Sequence, residues 1–136
     1  MRNIIIWVLI GTALACDCAF AGVFAYECEV LSEQQISDDG VLEPGLDIYI
    51  GKSFHVERRT GVVLGGGVGN SAYPTKSILD LGNDSMSYKL VSVSKAIFEL
   101  EGSHNVVYLE IKEWAETMLK PFILIHSGTV LTGSCS

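Results

Sequence analysis

The sequence predicts an all-β domain: a small antiparallel barrel or sandwich of about eight strands, with its first and last strands linked by a disulfide. Three observations predict it. Short runs of alternating apolar and polar residues recur between Gly, Asn, Asp and Pro, the two-residue period of half-buried strands. No stretch beyond residue 21 sustains an apolar stripe at the 3.6-residue period of a helix. One cysteine stands near each end of that region, Cys28 and Cys135.

In order along the chain, Tyr26, Cys28 and Val30 alternate with Glu27 and Glu29, a first strand with its cysteine facing inward. Turn signals follow at Asp38-Asp39-Gly40 and Pro44-Gly45. Phe54 and Val56 alternate with His55 and Glu57, and Arg59-Thr60-Gly61 breaks the run before Val62-Val63-Leu64, the pattern of a hairpin. Residues 65–70 carry too much glycine for a regular strand and read as a loop or bulged edge. Further strands are expected at 77–81, 88–94, 97–101, 106–114, 122–126 and 129–133, with Ser127-Gly128 as the tight turn between the last two. Ser92 and Ser94 read as the polar face of their strand. Residues 113–120, stopped by Pro121, read as one helical turn capping an end of the sheet. In a barrel the terminal strands are neighbours, so a bond between them would protect the exposed seam. The interior is either filled by Phe54, Val56, Leu90, Phe98 and Leu109 or left as a pocket.

Residues 1–21 read differently. Arg2 supplies a short positive start, residues 4–15 an apolar core, and Ala19-Phe20-Ala21 the small-x-small pattern of a cleavage site, so they form an export signal ahead of a single domain at 22–136. Localisation is then periplasmic or secreted, with no membrane span after cleavage. Two other readings of this segment are an uncleaved anchor, which Asp17 would burden, and lipoprotein processing at Cys16. Cleavage after Ala21 removes Cys16 and Cys18. The remaining pair, Cys28 and Cys135, is expected to bridge in an oxidising compartment, the alternative being two buried thiols. Closing so long a loop stabilises by about 4 to 5 kcal/mol.

With 16 acidic against 9 basic residues the chain carries a net charge of −7. That balance excludes nucleic acid and anionic lipid as partners held by charge.

Familiar chemistry is missing at the level of motif. Gly67-x-Gly69-x-x-Ala72 follows an apolar run, but Pro74 arrives where a dinucleotide fold needs a helix. Gly51-Lys52-Ser53 resembles the tail of a phosphate-binding loop, yet Leu46 stands where its first glycine belongs. His55, His104 and His126 show no metal-ligand spacing, and no Gly-x-Ser-x-Gly elbow is present. No catalytic residue, cofactor or metal is therefore assigned. The enzymatic alternative is a hydrolase or metal-dependent enzyme using His55 and Glu57, which share a strand face. The leading candidate is a binding face: Tyr108, Glu110, Lys112 and Trp114 alternate with the apolar Val107, Leu109 and Ile111. Large aromatics beside a Glu/Lys pair offer contact area at low entropic cost. The competing reading turns Trp114 back into the core with Met118, Leu119 and Phe122. On these residues the chain is an exported, non-enzymatic β module that binds a protein, a glycan or a small apolar ligand, with a lipidated envelope-structure protein as a further alternative.

The stretches Tyr26-Glu27-Cys28, residues 50–61 and Tyr108-Leu109-Glu110-Ile111, with Cys135 near the end, resemble a group of short exported proteobacterial proteins of unassigned function. In its small barrel and its cysteine near each end the chain is also similar to the periplasmic C-type lysozyme inhibitors. Their Ser-Gly-x-x-Tyr loop motif is not matched: residues 127–131 place Leu131 where the Tyr belongs. That resemblance thus implies the barrel and the terminal cysteines rather than the inhibition.

Overall fold

The computed structural model describes residues 24–95 and 104–136. The export signal, the Cys16 site, the strand expected at 97–101 and Phe98 lie outside them. Among the described residues the strands are β1 (Ala25–Ile36), β2 (Leu42–Pro44), β3 (Ser53–Glu57), β4 (Val62–Gly65), β5 (Thr75–Asn83), β6 (Met86–Lys95), β7 (His104–Ile111), β8 (Lys120–His126) and β9 (Thr129–Cys135). They form one antiparallel sheet in the order β4-β3-β1-β9-β8-β7-β6-β5, with the short β2 paired to the far end of β1. Curling of this sheet gives a nearly closed eight-stranded barrel, which settles barrel against sandwich. Among the described residues no helix is long and apolar enough to cross a membrane.

Inward positions follow the alternation. Tyr26, Cys28, Val30, Phe54, Val56, Tyr88, Leu90, Leu109, Ile111 and Leu124 all lie in the buried core cluster. Of the side chains named for the interior, Phe54, Val56, Leu90 and Leu109 are there, each at most 2% exposed. Phe54 meets Phe122 edge-on with ring centres 5.1 Å apart.

β1 and β9 are neighbours, and Cys28 and Cys135 are directly opposed with Cα atoms 4.0 Å apart and a disulfide between them. The backbones of Glu27 and Ser136 exchange both hydrogen bonds next door, at 3.1 and 2.9 Å, so the cysteines occupy a non-hydrogen-bonded pair, where side chains are closest.

The seam is elsewhere than expected. β1 and β9 are central in the sheet, and the missing ladder lies between β4 and β5, in the middle of the chain. Side chains close it. Gly65, Gly66 and Gly67 all adopt the left-handed region (φ 86°, 62° and 77°), which turns the chain after β4 and brings Asn70 back against the free edge of that strand. The Asn70 N–H donates to the Val63 carbonyl at 3.0 Å, and Asn70 Oδ1 accepts from the Val63 N–H at 2.7 Å. One residue thus substitutes for a strand partner. Its Nδ2 donates to the Gly61 carbonyl at 2.8 Å and crosses the seam to Ser92 Oγ on β6 at 2.6 Å. Farther along, Arg58 of the β3–β4 turn donates to the Leu81 and Gly82 carbonyls of β5 at 2.7 and 3.0 Å and pairs with Glu113 at 3.3 Å. Tyr26 donates its hydroxyl to the same Glu113 carboxylate.

Two local expectations are corrected. Ser92 is fully buried, while Val91 and Val93 face outward and are half-buried. The buried amide of Asn70 gives the serine a polar partner that an apolar neighbour could not. Residues 113–119 form turns and bends with no helix, and Lys120 already opens β8. There Lys120 Nζ donates to the Ala115 carbonyl at 2.6 Å, taking a carbonyl that a helix would use, and Thr117 Oγ1 donates to the Leu119 carbonyl at 2.7 Å.

Candidate functional site

Antiparallel pairing decides which side chains share the outer face around β7. Lys89 of β6 stands opposite Glu110, and Val91 opposite Tyr108. On the other flank Ile123 of β8 stands opposite Glu110, and Ile125 opposite Tyr108. Val107, Leu109 and Ile111 point into the core, leaving Tyr108 and Glu110 outside on the strand. β7 ends at Ile111, so Lys112 and Trp114 lie on the connection to β8.

These four residues form one connected group. Tyr108 donates its hydroxyl to Glu110 Oε2 at 2.7 Å. Ser87, buried on β6, donates to the same carboxylate and accepts from Trp114 Nε1 at 3.1 Å. Lys112 Nζ sits 5.7 Å from the centre of the Trp114 ring, within range of a cation–π contact. The Tyr108 hydroxyl, followed by the Ser87 hydroxyl, holds the Glu110 carboxyl below its usual range, so it stays ionised. Partial burial, then the Glu110 carboxylate, pushes the Tyr108 phenol up to about 12, so it stays a donor.

Trp114 is 49% exposed and Met118 96%, so the indole is outside the core and the competing reading of it is set aside. With its N–H tied down by Ser87, the ring presents its apolar surface to solvent. Toward the other end of β7, Val106, Tyr108 and Ile125 line a shallow groove against the Ser127-Gly128 turn. Sequence reasoning named the four outer residues but missed Ser87, the hub that joins them. The signal available was only that a serine at position 87 falls opposite the end of β7 once the strands pair.

His55 and Glu57 lie two residues apart on β3, each bonded to a different neighbour. His55 Nδ1 is 2.6 Å from Glu27 Oε1 across the β1–β3 ladder, and Glu57 accepts from Thr60 Oγ1 at 2.7 Å. His126 ends β8 and His104 opens β7. Among the described residues no three His, Cys, Asp or Glu side chains converge. Comparison of the chain with protein-family models, with curated proteins and with solved structures finds no match.

Proposed function

We propose that the protein is an exported, non-enzymatic β module that binds a protein or glycan through the outer face built from Tyr108, Glu110, Lys112 and Trp114. The observation that carries this reading is the tethered, half-exposed indole of Trp114, joined through Ser87 to Glu110 and Tyr108 while the barrel interior is occupied by core side chains. An aromatic surface held in one rotamer loses little entropy when a partner covers it. The occupied interior favours a ligand on the outer surface over a small apolar ligand inside. Export fits the Cys28–Cys135 bridge, since such bonds persist in oxidising compartments.

Trp114→Ala and Tyr108→Ala are each expected to weaken capture of partners from an exported-protein and envelope-glycan extract by ten-fold or more, the loss typical of a central aromatic anchor. Unchanged capture by both variants would place the site elsewhere. Mass spectrometry of the mature protein is expected to find a chain beginning at Gly22. A diacylated Cys16 would instead support the lipidated envelope-structure reading.

A further inference from the structure

A second surface lies between β1 and β3. Residues 25–51 contain seven acidic side chains, Glu27, Glu29, Glu33, Asp38, Asp39, Glu43 and Asp47, and no Lys or Arg. Of the sixteen acidic residues in the chain, removing these seven leaves nine, which the nine basic residues balance. The whole net charge of −7 therefore belongs to one segment. The same segment exposes large apolar side chains: Ile36, Val41, Leu42, Leu46, Ile48 and Ile50 are all between 44% and 73% exposed.

This apolar loop is held in place. A bulge in β1 between Val30 and Ser32 shifts the phase of the strand, so that Glu33 points inward and is buried. Its carboxylate accepts from the backbone N–H groups of Leu46 and Tyr49 at 3.3 and 2.9 Å, and its carbonyl from Gly45 at 3.0 Å. Gly51 donates to the Val30 carbonyl at 2.9 Å, fixing the far end. Gly45 lies against Glu33 so closely that a Cβ there would come within 2.5 Å of the glutamate Cγ. A buried carboxylate spent on ordering a loop that exposes leucine and isoleucine is costly for stability and useful for recognition, because the loop's ordering entropy is already lost before a partner arrives.

We infer that the 36–50 loop docks a cationic, amphipathic polypeptide segment, whose apolar side chains cover Leu42, Leu46 and Ile48 while its Lys or Arg residues face Asp38, Asp39, Glu43 and Asp47. Charge complementarity selects this occupant. A second copy would bring its own seven carboxylates, and an anionic lipid surface would repel the loop in the same way. Oppositely charged side chains around an apolar centre both speed encounter and favour register.

The test uses the full-length protein and synthetic peptides with a leucine stripe flanked by lysines, a Lys→Gln analogue and a Leu→Ser analogue, titrated by calorimetry at low and high salt. The Lys/Leu peptide is expected to bind at low salt, to weaken at high salt, and to bind at least ten-fold more tightly than either analogue. Leu46→Ser/Ile48→Ser and Glu43→Gln/Asp47→Asn should each cost ten-fold or more, whereas Asp84→Asn/Glu116→Gln, an equal charge change elsewhere, should not. Circular dichroism confirms that each variant stays folded, as expected for exposed positions. Equal affinity across the variants, or an equally tight Leu→Ser peptide, would overturn the inference. So would self-association, or binding to phosphatidylglycerol vesicles, that is lost in Leu46→Ser/Ile48→Ser in the absence of peptide binding.

Discussion

Asn70→Ala isolates the closure of the barrel in one side chain. Asn70 is fully buried and makes three side-chain hydrogen bonds, accepting from Val63 N–H and donating to the Gly61 carbonyl and to Ser92 Oγ. Alanine removes all three. Gly61 and Val63 are buried, so a backbone carbonyl and an N–H are left without these partners, at about 1–3 kcal/mol each. Ser92 can rotate its hydroxyl and adds less. The expected loss is therefore about 2–6 kcal/mol, a large part of the 5–15 kcal/mol that typically holds a domain of this size. Urea unfolding gives the total, and hydrogen exchange at the Val63 amide gives the local part. Asn70→Asp should not rescue, since it keeps the acceptor for Val63 but sets a negative charge against the Gly61 carbonyl. A loss below about 1 kcal/mol, with Val63 still protected from exchange, would refute the reasoning and leave the seam to Arg58 and Glu113.

Cys28→Ser/Cys135→Ser is expected to lower unfolding stability by about 5 kcal/mol from the entropy of a loop spanning a separation of 107 residues; a denaturation midpoint equal to that of the oxidised protein would contradict it. The Tyr88 hydroxyl is buried with no hydrogen-bond partner among the described residues, so Tyr88→Phe should be neutral or stabilising by about 1 kcal/mol near pH 7, and a clear destabilisation would reveal a partner. Burial pushes the Tyr88 phenol up to about 12, and burial with the Glu113 bond raises that of Tyr26 further, against an unfolded value of about 10. Because both folded values are raised, their contribution is complete below about pH 10 and is lost as pH climbs, by about 1.4 kcal/mol per unit for each tyrosine. Unfolding measured between pH 9 and 11 should then show a steep fall that Tyr88→Phe makes shallower, and identical slopes would count against burial of the phenol.

Strand identity was largely legible because alternation survives in Tyr26-Cys28-Val30, Phe54-Val56 and Val107-Leu109-Ile111, where one face packs and the other meets water. Phase was not legible where a bulge intervenes. Leu31 is the extra residue in β1, so inward positions switch from even to odd and Glu33 becomes the buried anchor of a loop. Gly133, opposite that bulge, approaches the Glu29 carbonyl so closely that any side chain would collide with it, a constraint created by pairing across the sheet. Ser92 was misplaced for a similar reason: its partner Asn70 reaches it over a glycine loop from another edge of the barrel. At the candidate site, alternation placed Tyr108 and Glu110 outside, but it loses its meaning past Ile111. Only the bond from Trp114 to Ser87 shows the direction of the indole.

The opposition of Cys28 and Cys135 also has a mechanical meaning. Tension applied through segments that precede Cys28 and follow Cys135 runs across a single covalent bond between adjacent strands and bypasses the rest of the barrel. In the oxidised state the chain between them, roughly 370 Å if drawn out straight, is shielded from the load. Reduction would return that whole length to the load path, so thiol chemistry sets whether this domain behaves under force as a short rigid link or as an extensible one.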